Sequence, residues 1–302
     1  MTDPSPLDAL QSENATLRDS LSAALYREGA FPAGHYYSPI PDRFDVSRLT
    51  ASDQTFPRTV PGIEISAHNQ LRLLSAFEAF AGELPFPIHA DASSRYYYEN
   101  PFFSYGDAVA LYSMMRTIEP ARIIEVGSGF SSAVILDVNE RFFGGNIGCT
   151  FVEPYPDRLY SLVRTSDRET STVVEHAVQE CDPALFLELK RNDILFIDSS
   201  HVLKFGGDLA YLFAEVLPIL AAGVAVHFHD IFYPFEYPPA WLKEGRFWNE
   251  CYFVRAFLTY NSAYRVELFN DYLRIFHPDA LGTVTPLWLN NTGGSLWLRK
   301  IA

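Results

Sequence analysis

The sequence predicts an α/β fold: a doubly wound, seven-stranded, mostly parallel sheet behind an N-terminal helical and irregular extension. Three observations carry that reading. From residue 106 onward, short apolar runs alternate with helix-forming segments, the pattern of a parallel sheet covered on both faces. The first run, ARIIEVGSG, passes directly into a glycine turn and a helix. The last two runs, YRVELFN and GSLWLRK, are separated mostly by turn residues, which predicts an antiparallel finish.

The elements follow in order. Residues 5–27 read as a helix. Leu7, Asn14 and Leu21 form one seven-residue series, and Leu10, Leu17 and Ala24 form another. Two readings stay open: a short coiled coil whose buried Asn sets register, giving a homo-oligomer, or an amphipathic helix lying on its own domain. Residues 28–62 are dominated by prolines and turn residues and read as irregular chain. A helix is expected within 63–82, around NQLRLLSAFEAFAG. The stretch up to residue 104 is loop-like, and its Tyr96, Tyr97, Tyr98, Phe102 and Phe103 either line a pocket or bury a lid. GDAVALYSMMRTIEP is a helix stopped by Pro120; SSAVILDVNERFF, DRLYSLVRT, PALFLELK and GGDLAYLFAEVLPIL are the helices between strands. The strands after the first are IGCTFVEP, STVVEHAV, DILFIDSS and GVAVHFHD, and a further helix falls near 248–260. The organisation is therefore 1–27 helix, 28–104 extension and lid, and 105–302 main domain.

Composition narrows the function. Of 302 residues, 48% are hydrophobic and 20% charged, enough apolar material for a large core. The net charge of −14, from 37 acids against 23 bases, repels phosphate backbones and anionic bilayers, so neither nucleic acid nor membrane is expected as partner. No apolar run approaches the ~20 residues of a membrane span. The first residues lack a basic and an apolar signal region, and Cys149, Cys181 and Cys251 are widely spaced, which together predict a cytoplasmic protein with reduced thiols.

The glycine turn IIEVGSGFSS lies where a doubly wound sheet binds its cofactor. Gly127 and Gly129 allow close backbone approach, and the following helix offers free amides. Ser132 stands where a dinucleotide fingerprint has its third glycine. Glu125, inside the strand end, is of no use to a pyrophosphate but suits a cofactor carrying ammonium and sulfonium charges. Glu153 ends the next strand, 28 residues after Glu125, where an acid accepts ribose hydroxyls; the plain alternative is a helix cap. Gln179, after the third strand, falls near an adenine edge.

This set resembles the class I S-adenosylmethionine-dependent methyltransferases over residues 105–302. The resemblance implies strand order 3-2-1-4-5-7-6. It places Glu125, Gly127, Ser128 and Gly129 at the methionine part, with Ser131 in the same cofactor-binding set, and Glu153 on the ribose.

The fourth strand ends in ILFIDSSH and the fifth in VHFHD. Adjacent parallel strands lie about 4.8 Å apart, so Asp198 and Asp230 converge. Two carboxylates at one point need a cation or a shared proton between them. A hard divalent cation such as Mg²⁺ would bind a substrate hydroxyl and lower its pKa, and His201 would take the proton. The bland alternatives are a helix-capping histidine and strand-end acids that bind loop amides. The D-x-x-H stretch resembles bacterial metal-dependent sugar O-methyltransferases, which implies Asp198 and Asp230 as ligands and His201 as base. Where those enzymes have a further acid, this chain has His229, a softer ligand that suits Mn²⁺ or Fe²⁺ better than Mg²⁺.

Beyond Asp230, Tyr233, Phe235, Tyr237, Trp241 and Trp248 crowd an aromatic, proline-stiffened loop that either stacks on a sugar or small-molecule acceptor or forms a buried lid, with Tyr233, Tyr237 and Trp241 the expected acceptor contacts. The reading is an O-methyltransferase using S-adenosylmethionine. Its rivals are a non-catalytic cofactor-binding scaffold module and a metal-dependent oxygenase-like relative built on His229, Asp198 and Asp230.

Overall fold

The computed structural model describes residues 10, 12–21, 29–50 and 55–302. The seven strands are β1 (Arg122–Val126), β2 (Gly148–Val152), β3 (Thr172–Val174), β4 (Ile194–Ile197), β5 (Ala225–Phe228), β6 (Tyr264–Phe269) and β7 (Leu296–Lys300). They form one sheet in the order β3-β2-β1-β4-β5-β7-β6, the order expected. β1 to β5 pair in parallel, and β7 runs antiparallel to both β5 and β6. Every residue of β4 and β5 is buried. That is why β4 reads as an unbroken apolar run, and why β5 is interrupted only by the buried His227. Helices Tyr105–Ile118 and Phe130–Phe143 are also buried along most of their length.

Four elements differ from expectation, the first being the helix Arg43–Thr50 inside the stretch 28–62, expected to be irregular chain. PALFLELK is a 3-10 turn over Pro183–Glu188, opened by Asp182, whose carboxylate accepts the Ala184 amide at 2.9 Å. The helix after β4 is α-helical only over Asp208–Tyr211, then widens to a π turn at Leu212–Val216 and closes as 3-10 at Leu217–Ile219. Pro218 has no N–H to give the preceding turn, so the regular ladder cannot continue through it. Between β6 and β7 the chain is not mostly turns: Asn270–Phe276 and Pro278–Val284 are helices. Their short length and the intervening Pro278 hid the helical period.

By contact the chain divides into two units, Met1–Gln54 with Pro238–Phe247, and Thr55–Tyr237 with Trp248–Ala302. In the first unit, residues 12–21 are helical and Leu10, Leu17 and Leu21 are exposed. Leu7 and Ala24 of the heptad series lie outside the described residues. Helices Arg43–Thr50 and Pro239–Lys243 pack on one another within this unit. Phe31, His35, Tyr36 and Tyr37 form a ladder of rings, with Tyr36 and Tyr37 largely exposed. Among the described residues no helix is long and apolar enough to cross a membrane.

In the second unit, a buried cation in the stretch 55–104 ties it to helices that flank the sheet. Arg95 donates to Asp167 at 2.6 and 2.7 Å, to Asp137 at 2.8 Å and to Glu140 at 2.6 Å. The Arg95 and Tyr96 amides add two bonds to Asp137. Tyr96 and Tyr98 pack edge-on against Phe86, so this stretch of the aromatic extension is core. Burial raises the Asp167 carboxyl, but bonds from Arg95 and the Arg164 amide outweigh it and hold the pKa below 3.8. Arg95→Met should cost about 3–5 kcal/mol in urea unfolding at pH 7, because it strands two buried carboxylates. The sign follows from the lowered folded pKa: the Asp167 contribution is complete above 3.8 and is lost as pH falls through the folded value, so the wild-type and variant curves should converge in acid.

Candidate active site

β1 and β4 pair side by side at the centre of the sheet, Val126 opposite Ile197. One residue further, the Asp198 amide donates to the Val126 carbonyl at 2.9 Å. Gly127 sits at φ 80°, and a Cβ there would lie 1.8 Å from the Asp198 carbonyl oxygen. Only glycine fits, both for its backbone angle and for the space. The glycine turn and the acid of the next strand are thereby held in one place.

Glu125 is fully buried, and its two oxygens accept from the Ser131 and Ser132 hydroxyls, each at 2.5 Å. Ser132 Oγ in turn accepts the Gly129 amide at 3.0 Å. Burial pushes the Glu125 carboxyl up to about 8, against the pull of the two serines. Glu125 and Ser131 therefore clamp the strand end to the helix that follows. Glu153 reaches the same turn from β2: one oxygen accepts the Ser128 amide at 3.0 Å and the other the Tyr155 amide at 2.8 Å. Ser128 Oγ is buried without a hydrogen-bond partner. Gln179 lies exposed in the 3-10 turn Val178–Glu180.

The second half of the site spans the ends of β4 and β5. The His229 amide donates to the Ile197 carbonyl at 2.9 Å, which sets Asp198 beside Asp230. His201 and Asp230 both have left-handed backbones, φ 57° and 56°, although neither is glycine. Such strain persists where surrounding contacts over-determine it. His201 Nε2 lies 3.4 Å from an Asp198 oxygen and 3.7 Å from an Asp230 oxygen. His201 Nδ1 lies 2.8 Å from Glu250 Oε2. His229 Nε2 lies 3.6 Å from the other Asp230 oxygen. The imidazole of His201 thus occupies the point on which the two aspartates converge.

The electrostatics are strongly coupled. Burial opposes ionisation of Asp198, but His229 and His201 outweigh it and hold that carboxyl below the usual range. Burial likewise lowers His201, and bonds to Asp198 and Glu250 outweigh it, so its pKa is raised well above 6.5. His229 is raised too, by Asp198, Asp230 and Asp107 against burial. His227 points the other way: buried between Phe196 and Trp297, with neither ring nitrogen bonded, it is pushed well below 6.5 and is a neutral core residue.

Two acids join the cluster that no sequence spacing indicated. Asp107, at the start of helix Tyr105–Ile118, accepts from Ser295 Oγ at 2.6 Å, and burial raises it to about 6. Glu250 opens helix Glu250–Leu258, 49 residues after His201. Nothing local in WNECYF distinguishes it from a helix-capping acid. Among the described residues, no three His, Cys, Asp or Glu side chains are arranged to hold a metal ion.

The expected acceptor-side residues separate. Tyr233 is buried against Phe269, Tyr272 and Phe276, and its hydroxyl donates to the Pro57 carbonyl at 2.6 Å. Tyr237 is buried edge-on to Trp248 and accepts the Cys251 amide at 3.4 Å. Trp241 belongs to the first unit, under the Arg246 guanidinium. The ring that lies over His201, at 4.5 Å, is Trp248.

This sheet order and a glycine turn joined to an acid–histidine cluster define a class: the chain belongs to the class I S-adenosylmethionine-dependent methyltransferases. A family model described as a methyltransferase domain matches residues 124–231. An uncharacterized protein of Archaeoglobus fulgidus is 31% identical over 170 residues, 54% of this chain and 76% of that protein. Among solved structures, CmcI with Mg and SAM matches at a TM-score of 0.41 and 15% identity, over 86% of this chain and 97% of that one. The O-methyltransferase TomG from Streptomyces achromogenes, involved in tomaymycin synthesis, matches in complex with SAM at 0.39 and 13% identity, over 80% and 92%.

Gly127→Ala should lower stability by about 2–5 kcal/mol, the sum of backbone strain and overlap with Asp198, read as a fall in thermal midpoint. Glu125→Gln tests the clamp. With a folded pKa of about 8 against 4.5 unfolded, the wild-type protein loses stability as pH rises from 4.5 to 8. The variant, which cannot ionise, should show a flatter pH–stability curve over that window.

Proposed function

We propose that this protein is an O-methyltransferase that moves the methyl of S-adenosylmethionine to a hydroxyl of a sugar, glycan or other small molecule. The observation that carries the reading is the contact of Gly127 with the Asp198 carbonyl, because it puts the cofactor turn against the cluster that holds His201.

One group at the turn fits a cofactor: the buried Ser128 hydroxyl has no internal partner, while the space beside Gly127 is filled by the Asp198 carbonyl and that beside Gly129 by the Arg158 side chain. Glu153 faces the same turn and is the candidate for the ribose hydroxyls. When bound, S-adenosylmethionine supplies a sulfonium methyl group. An acceptor oxygen held in line with that methyl would form its C–O bond as the C–S bond breaks, so holding the oxygen there is what the chain's own residues would contribute. The neutral form of His201, which its raised pKa makes the minor form until the pH rises well above 6.5, would take the hydroxyl proton at Nε2, leaving a methyl ether and S-adenosylhomocysteine.

Asp198 and Asp230, with His229 as a third donor, are the residues that would hold a divalent metal, but as they stand no three of them are arranged around one point, so they would have to rearrange; such an ion would lower the pKa of a bound hydroxyl. Their chemistry suits Mn²⁺ or Fe²⁺ better than Mg²⁺. His201 now stands between the two carboxylates, so a bound ion and this imidazole position compete.

Calorimetric titration with S-adenosylmethionine should give saturable binding; no heat at millimolar cofactor would sink the reading. A panel of methyl glycosides and phenols, scored by S-adenosylhomocysteine release, should contain a substrate, whereas binding without turnover across the panel would favour a scaffold module. Turnover should fall in EDTA and return with Mn²⁺ or Mg²⁺; full activity in EDTA would leave charge neutralisation to His201. His201→Gln should lower kcat by about 10²–10⁴-fold with cofactor affinity little changed.

A further inference from the structure

We propose that Glu250 is the positioning residue of a buried Glu–His dyad, fixing the His201 ring so that Nε2 faces Asp198 and Asp230. The inference rests on the methyl-transfer reading for its catalytic consequence, but not for its geometry.

The start of helix Glu250–Leu258 grips the turn after β4 at the carbonyl and Nδ1 of His201. The Asn249 and Glu250 amides both donate to the His201 carbonyl at 3.2 Å. Asn249 Oδ1 accepts the Leu203 amide at 2.7 Å, and its amide nitrogen returns a bond to the Leu203 carbonyl at 3.3 Å. Glu250 Oε2 meets His201 Nδ1 at 2.8 Å, and Trp248 covers the ring. These contacts account for the left-handed backbone at His201, which nothing in its own sequence favours.

A glutamate in a first helical turn is ordinarily an exposed partner of the helix dipole. Glu250 is not: its side chain is 1% exposed, and one oxygen, Oε1, is buried with no hydrogen-bond partner. A half-satisfied buried carboxylate is destabilising unless the pairing it does make compensates. That pairing is with the histidine nitrogen opposite the one that faces the aspartates. A carboxylate on Nδ1 requires a proton there, which leaves Nε2 as the nitrogen that exchanges protons with an acceptor. The same helix touches the other strand end, since Cys251 Sγ lies 3.7 Å from the Asp230 carbonyl. One element therefore sets the relation of His201 to both aspartates.

The test begins with the free protein. Labelled with ¹⁵N-histidine, the eight histidines should give one far-downfield Nδ1–H resonance that disappears in His201→Gln. Glu250→Gln should abolish or shift it strongly upfield. If the wild-type protein shows no such resonance from His201, the dyad is overturned, whatever the variant's folding. On a panel acceptor that the wild type methylates, Glu250→Gln should lower kcat by about 10²–10⁴-fold while acceptor KM and cofactor Kd stay within about threefold. A kcat within threefold of wild type, or a loss carried by KM alone, would remove Glu250 as positioning residue. A wild-type protein that methylates nothing on the panel would defeat the reaction assigned above, and the resonance alone would then judge the dyad.

Discussion

At the centre of the sheet the backbone of Gly127 lies against the Asp198 carbonyl, and the geometry of the site follows from that contact. It exists because β1 and β4 are parallel neighbours whose ends are level. The reversal of strand order at this point opens the crevice in which such sheets bind ligands. Around it, Glu125 and Glu153 use their carboxylates to tie the turn to the next helix and to β2.

The second constraint is charge. Asp107, Asp198, Asp230 and Glu250 lie in or beside one poorly solvated cluster, with His201 and His229 as its cationic partners. Carboxylates that close cannot all ionise without compensation. The cluster solves this unequally. Asp198 is held ionised by the two histidines, Asp107 is raised by burial, and Glu250 is matched directly to an imidazole. An environment that pushes neighbouring groups apart in pKa is one suited to moving a proton.

The expected acceptor residues fared differently, for a reason visible in packing. Aromatic composition marked the loop after Asp230, but composition does not say which face of a ring is covered. Tyr233 spends its hydroxyl on Pro57 and its ring on three neighbours, while Trp248 takes the place over His201. Likewise Tyr96 and Tyr98, which lie in sequence like a lid, are buried beside Arg95, whose three acidic partners fasten the extension to helices that flank the main sheet.

The sequence by itself determined the parallel sheet, the strand ends and the pairing of ILFIDSSH with VHFHD. Those features are written in local apolar period and in short runs of polar residues at strand ends. Helices with few residues or an internal proline, such as those between β6 and β7, were illegible because one or two turns carry too little period to register. Glu250 and Asp107 were illegible for a different reason. Each is an ordinary acid at a helix start, and its meaning comes only from what lies opposite it. The tertiary structure alone decided that Nε2 of His201 faces two aspartates while Nδ1 faces a buried glutamate, because Asp230 and Glu250 come from elements far along the chain, Glu250 49 residues on, and meet His201 only in the fold.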